Sequence, residues 1–394
     1  MRPRFELAQV IREYGERFVE SRNIPSHHLR TLRALQICRT ADLGGHVEGC
    51  DHCGHIRVSY NSCRNRHCPK CQGTNRERWI LRREEELPRT GCFHLVFTLP
   101  SVLNELCLHD PRAIYNILFG SVWDTIRGLS RNPRFLGAET GMIAILHTWG
   151  QQLMLHPHLH CIVPAGGLTL KGRWKPARNR GKYLFPVKAM GSIFRAKFMA
   201  NLTNCSGKGN LQISARMRKA LFEKPWVVYA KEPIMGSRQI IEYLGRYTHK
   251  IAISNHRIMA ISGGRVTFRY KDYRDSEKEK QMTLDATEFL RRFCLHILPS
   301  GFRRIRHYGI LSNRNKKMLI GLNNVNNQNK AVTTSKELSW KDICVQRLGF
   351  DPDMCHSCKK GRMITLLTLL PGRAPPDQGE LSKRIHLIKS APAQ

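Results

Sequence analysis

The chain has 394 residues, with 65 Lys and Arg against 30 Asp and Glu, a formal charge of +35. So basic a balance points to a polyanionic partner, nucleic acid first. No run approaches the ~18 apolar residues of a membrane span, and no signal-peptide pattern opens the chain, so no membrane partner is expected. Its length allows two or three domains at about 150 residues each. Fourteen cysteines without a secretory segment suit a reducing compartment, where clustered cysteines hold metal more often than disulfides.

Residues 4–22 space Phe5, Val10, Tyr14 and Phe18 as on a helix, and a second helix is predicted from Ser26 to about Cys38. Then comes CDHCGHIRVSYNSCRNRHCPKC at 50–71, with two CxxC knuckles, Cys50 and Cys53, then Cys68 and Cys71. Two such knuckles converge on one tetrahedral zinc in zinc ribbons, because thiolates match that ion's softness and geometry. Cys38, His46, His55, Cys63 and His67 are left over, enough for a second ion. Arg57, Arg64, Arg66 and Lys70 interleave with the ligands and are expected to touch phosphate.

A charged helix (75–86) stops at Pro88, and FHLVFTLP (93–100) reads as a buried strand. Residues 101–127 have helical tendency. Met142 to Leu146 then form a strand ending at His147, and a short polar connection closed by Pro157 leads to His158 and His160. Two residues apart on a strand, those last two leave one face, and antiparallel pairing could bring His147 beside them as a three-nitrogen metal site. The competing reading is three strand histidines satisfied by backbone. Basic helix fills 189–224, and a short strand lies at 226–233.

In SRQIIEYLGRYTHKIAIS (237–254), Tyr243 and Tyr247 are one helical turn apart, with Arg246, His249 and Lys250 close by. Gly245 weakens the helix by ~1 kcal/mol against Ala. Two strands, 257–262 and 265–270, join at Gly263-Gly264. Asp285 and Glu288 form a capping box opening a helix through His296. In GFRRIRHYG, Arg303, Arg304 and Arg306 alternate with Phe302, Ile305 and Tyr308, a pattern suited to phosphate neutralisation and base stacking. The Asn-rich run at 323–329 reads as linker, a lone CxxC at Cys355 and Cys358 does not by itself define a zinc site, and the Pro-rich tail is expected to be disordered.

Taken together, SCRNRHCPKCQ, the HLH at 158–160, YLGRY and the FLRRF…LPSGFRRIRHYG segment resemble the rolling-circle insertion-sequence transposases of the HUH type. The nearer resemblance is to the bacterial IS ninety-one group, and it runs in order from about residue 10 to 315. It implies an α+β fold: a zinc-ribbon-like module, then an HUH nuclease domain with an antiparallel ferredoxin-like palm and helices. The implied division is 1–90 for the helical lead and zinc domain, 91–315 for the catalytic domain and 316–394 for a basic C-terminal segment.

The resemblance makes Tyr243 and Tyr247 the nucleophiles of a single-strand DNA endonuclease and strand transferase. Its intermediate is a 5′-phosphotyrosine, its ion is Mg(II) or Mn(II) on His158 and His160, and its zinc is structural. The third ligand stays open between His147, a polar residue beside the tyrosine helix, and His156. Arg246, Lys250, Arg303, Arg304 and Arg306 are the expected DNA contacts, on single-stranded transposon ends and on target DNA, in the bacterial cytoplasm at the nucleoid. No GxxxxGK[ST] loop occurs, consistent with chemistry that needs no ATP. An HUH replication initiator and a non-enzymatic zinc-ribbon DNA-binding regulator are the alternatives.

Overall fold

The computed structural model describes residues 3–84, 90–206, 213–273, 275–315, 339–373 and 375. The linker expected at 323–329 and nearly all of the tail lie outside these residues.

Helices α1 (Leu7–Glu20) and α2 (Ser26–Gln36) lead into strands β1 (Gly45–Cys50) and β2 (Ile56–Tyr60) and helix α3 (Gln72–Glu84). The central region follows as β3 (Cys92–Thr98), α4 (Asn104–His109), α5 (Pro111–Arg131), β4 (Gly141–Trp149) and β5 (Leu155–Pro164). A small ribbon, β6 (Gly166–Leu168) with β7 (Trp174–Pro176), precedes α6 (Arg178–Gly181), α7 (Val187–Ser206), α8 (Ala215–Glu223) and β8 (Val228–Ala230). Next are α9 (Ser237–Thr248), the meander β9 (Ile258–Ser262), β10 (Arg265–Asp272) and β11 (Lys278–Asp285), then α10 (Ala286–Cys294) and β12 (Ile305–Gly309). A short helix, Trp340–Ile343, continues as a π-helical turn to Leu348, and β13 (Met363–Leu369) ends the described chain but for a few residues.

The central sheet has the order β12-β4-β5-β3-β8, and every pairing in it is antiparallel. In chain order, β3–α5–β4–β5–α7–β8 is a βαββαβ unit, and its strand order is the ferredoxin-like one. The expected α+β fold with an antiparallel palm is what the chain adopts, with β12 added at one edge.

Alternation along the strands gives the sheet two faces. Leu95, Phe97, Ala144, Leu146, Leu159 and Cys161 pack under α5 and α7 in the main core. The opposite face presents Ile143, Ile145 and Ile162, covered by Ile80 of α3 and Ile240 of α9. Gly245 is what lets those two helices touch, since a Cβ there would meet Ile80 Cδ1 at 2.5 Å. The helix cost of that glycine is exchanged for close packing.

A third core joins the chain's first helix to the meander and α10: Leu7, Val10 and Phe18 of α1 pack with Phe268 of β10 and with Phe289 and Leu290 of α10. Strand β11 was not foreseen, because its charged, exposed side chains carry little apolar signal. The capping box is half made. Asp285 accepts from Thr287 N at 2.8 Å, while Glu288 turns to Arg291 and Arg292. Pro157 lies inside β5, at a register shift in the β4–β5 pairing, rather than closing the turn. Gly150 to Met154 make that return, with Gly150 N bonded to Met154 O.

Candidate active site and thiol clusters

Strand register assembles the histidines. His147 pairs directly with His158 across β4 and β5, and His160 is opposite Ile145, on the same face. Their ligand-capable nitrogens lie within 4.8 Å of one another. His156 is outside this group and offers its carbonyl to His158 Nδ1 at 2.7 Å. His147 Nε2 donates to Tyr247 O at 2.7 Å. Those two bonds fix two tautomers, leaving His147 Nδ1 and His158 Nε2 as acceptors. Burial, and then their neighbours, holds His147 and His160 well below the usual imidazole range, and burial lowers His158 to about 4. Neutral imidazoles are the form that binds a cation.

Helix α9 lies over this face and places both tyrosines there. Tyr247 packs its ring on His160, centroids 4.2 Å apart, and its hydroxyl donates to Tyr243 Oη at 3.1 Å. His94, on β3, was not singled out in the sequence. Its Nδ1 is 2.9 Å from Tyr243 Oη and its Nε2 2.9 Å from His160 Nδ1, so one ring joins the imidazole group to the tyrosine pair. The available signal was a lone polar residue in an apolar strand, two positions from Val96 and hence on the histidine face. Lys231 Nζ sits 5.4 Å over the Tyr243 ring, and burial followed by this cation lowers His94 to about 4.

A cleft of about 1170 Å³ opens beside the imidazoles, lined by Tyr247, Lys250, Arg257, Lys271 and Tyr273 among others. Burial, then Arg257 and Lys271, lowers the Lys250 ammonium. Such crowding of cations is relieved by an anion.

Of the other expected DNA contacts, Arg303 is exposed, and Arg306 lies 4.1 Å over the Phe119 ring and bonds Asn116 Oδ1 at 2.5 Å. Arg304 is buried and donates to the carbonyls of Thr248 and Lys250, capping the end of α9. The Arg246 side chain lies outside the described residues. In the cysteine-rich module Arg57 pairs with Glu48, Lys70 pairs with Glu6, and Arg66 donates to the carbonyls of Leu298, Pro299 and Phe302. Those three hold the fold, and Arg64 alone of the four is exposed.

The expected single site of Cys50, Cys53, Cys68 and Cys71 is corrected, because the two knuckles go to different clusters. Cys68 and Cys71 meet Cys38 and Cys63, while Cys50 and Cys53 meet Cys355 and Cys358. The reason is topological: β1 carries Cys50 along the β13 edge, away from the loop that closes on Cys38. In the first cluster the sulfurs stand 3.5–3.7 Å apart. Four sulfurs on a tetrahedral zinc with bonds of about 2.3 Å are about 3.8 Å apart, so this set fits the ion. His55 instead stacks edge-on with His356, and His67 Nε2 is buried without a hydrogen-bond partner.

Fold and site together define a two-part chain: a thiol-rich module, then an antiparallel sheet whose histidine face is roofed by a two-tyrosine helix. Comparison with known proteins gives its family. Residues 10–99 match the family profile described as "Transposase zinc-binding domain", of the IS91 group, and residues 141–318 match one described as "Putative transposase". The chain is 41% identical over 382 residues to "Putative transposase y4qJ" of Sinorhizobium fredii (strain NBRC 101917 / NGR234), covering 92% of this chain and 94% of that one. It is 29% identical over 320 residues to "Transposase for insertion sequence element IS801" of Pseudomonas savastanoi pv. phaseolicola, covering 78% and 74%. No solved structure matches it. The chain belongs to the IS91-group family of insertion-sequence transposases. Its first thiol cluster lies wholly within the matched zinc-binding domain.

Proposed function

We propose that this transposase nicks single-stranded DNA at insertion-sequence ends by attack of a tyrosine oxygen, Tyr243 or Tyr247, and then transfers the strand. The Oη–P bond forms, the P–O3′ bond breaks, and a 5′-phosphotyrosine and a free 3′-hydroxyl result. The observation that carries this is the run of hydrogen bonds from His160 through His94 to Tyr243 and Tyr247, beside two further imidazoles.

His147, His158 and His160 would hold one divalent ion. A set of neutral imidazoles without carboxylate suits Mn(II) better than Mg(II). Such an ion supplies charge stabilisation at the scissile phosphate. If His160 offered Nε2 to such an ion, its Nδ1–H would donate to His94 Nε2, and His94 Nδ1–H would donate to Tyr243 Oη. That oxygen then accepts from both His94 and Tyr247, and two donors favour its anion. A free phenol ionises near pH ~10, so this help is needed at neutral pH. Lys250 and Lys271 in the cleft, with Arg303 on the surface, would neutralise phosphates along the strand. Among the described residues no helix is long and apolar enough to cross a membrane. The reading places the chain on DNA in the bacterial cytoplasm.

The test is incubation with labelled single-stranded DNA carrying its own element's ends and Mn(II), resolved on a denaturing gel. A covalent protein–DNA band is expected. DNA binding without any band would leave the regulator reading.

A further inference from the structure

Cys355 and Cys358 lie beyond the residues matched by either family profile, 10–99 and 141–318. They nevertheless face the first knuckle of the N-terminal module. Antiparallel pairing of β1 with β13, from Gly45 opposite Leu369 to Cys50 opposite Met363, brings the loop before β13 onto the loop after β1. The loops are bonded to each other, Asp51 N to Arg362 O at 3.1 Å and Arg362 N to Asp51 Oδ1 at 2.8 Å.

Within that contact four sulfurs converge. Cys50 Sγ is 3.7 Å from Cys358 Sγ, and Cys53 Sγ is 3.8 Å from Cys355 Sγ. A disulfide would need about 2.05 Å, whereas tetrahedral zinc needs about 3.8 Å between sulfurs. Backbone donors support the thiolates: Cys53 N reaches Cys50 Sγ and Gly361 N reaches Cys358 Sγ, each at 3.4 Å. A Cβ on Gly361 would meet Cys50 Sγ at 2.5 Å, so the glycine leaves room for sulfur. The apolar core under this sheet is thin, a small cluster built on Val47 and Leu369. Three short strands on so small a core call for another fastening.

We propose that Cys50, Cys53, Cys355 and Cys358 hold a second zinc ion, which clasps the C-terminal segment onto the N-terminal module. The clasp has a consequence at the tyrosine helix. The held segment carries Arg347, which pairs with the buried Glu77 of α3 at 3.2 Å and reaches Glu242 of α9 at 3.9 Å. The metal thus fixes the cation that links α3 to the helix bearing Tyr243 and Tyr247.

The test counts zinc per full-length chain by mass spectrometry of the metal after desalting, without DNA, so its outcome is independent of the nicking reading. Wild type should carry two zinc ions, and Cys358→Ser and Cys68→Ser one each. Cys358→His, which keeps a four-ligand set of sulfur and nitrogen, should restore the second and so guards against a general folding defect. Replacement by Co(II) should give thiolate charge-transfer absorption that falls by about half in Cys358→Ser. Limited proteolysis should cut within 339–373 in that variant and not in wild type. One zinc in wild type, or two retained in Cys358→Ser, overturns the proposal.

Discussion

The Nε2 of His147 donates to the carbonyl oxygen of Tyr247 at 2.7 Å, fastening a candidate metal ligand to the turn that carries a candidate nucleophile. Removing that imidazole should therefore do two things at once. His147→Ala should raise the Mn(II) concentration that nicking requires by roughly 10–100-fold. It should leave DNA affinity within about twofold, because affinity comes from many cationic contacts. Full nicking by this variant at limiting metal would pass the third-ligand role to another residue.

His94 should act through Tyr243 and not through binding. His94→Gln keeps polarity but cannot reach both His160 and Tyr243, so adduct formation should slow by about 10–100-fold with DNA affinity unchanged. The ascending limb of the adduct rate should also move upward in pH, since a donor to the phenol oxygen is lost. A purely structural role would lower the folded fraction and leave the limb in place, and a pH profile of single-turnover adduct formation tells the two apart.

Arg304 and Arg303, adjacent in sequence, should behave oppositely. Arg304→Met should cost stability, read as a lower urea midpoint, because the carbonyls of Thr248 and Lys250 lose their donor. Arg303→Ala should leave that midpoint unchanged and weaken DNA binding, reducing the salt slope by about 1. Equal losses of DNA affinity in both variants, at equal stability, would contradict the division.

That pair also shows where sequence reading stops. The strand faces, the tyrosine spacing and the ferredoxin-like palm were legible, because period-2 and period-3.6 patterns act locally and the family's motifs occur in order. Partner choice was not. Whether an arginine meets phosphate or a carbonyl depends on a helix end 54 to 56 residues away, as for Arg304. The cysteines show the same limit: spacing marked each knuckle, but Cys50 finds its partners 300 residues on, through a strand pairing that no local pattern encodes. His94 became visible only once β3 lay beside β5.

Acid should destabilise the chain in a defined window. His296 is buried, bonded through Nε2 to Leu153 O at 3.0 Å and through Nδ1 to Thr148 Oγ1, and burial lowers it to about 4. Its folded value is below the unfolded one near 6.5, so the unfolded state binds the extra proton between those values. Stability is thus fully present above pH 6.5 and lost as pH falls toward about 4. His296→Gln should reduce by about one the protons taken up on unfolding at pH 5, measured from the pH dependence of the urea midpoint at constant metal. No change in that uptake would mean that His296 is not the buried neutral imidazole described.

The tyrosine pair yields the sharpest prediction. Their hydroxyls are 3.1 Å apart on one turn of α9, so both can address one phosphate region. A transposition cycle needs a cut at each strand end and a transfer. A single nucleophile could do this only if released in between, whereas a pair can hold one end covalently while the other oxygen attacks. Tyr243→Phe and Tyr247→Phe should each block complete transposition, yet at least one should still form the covalent adduct. Phenylalanine keeps the ring packed against its neighbours, His94 for Tyr243 and His160 for Tyr247, and removes only the oxygen. The double variant should form no adduct while binding DNA as wild type does. Peptide mapping should find the DNA on residue 243 or 247. Adduct persisting in the double variant, or mapped to Tyr270, Tyr273 or Tyr308, would move the active site out of the histidine face.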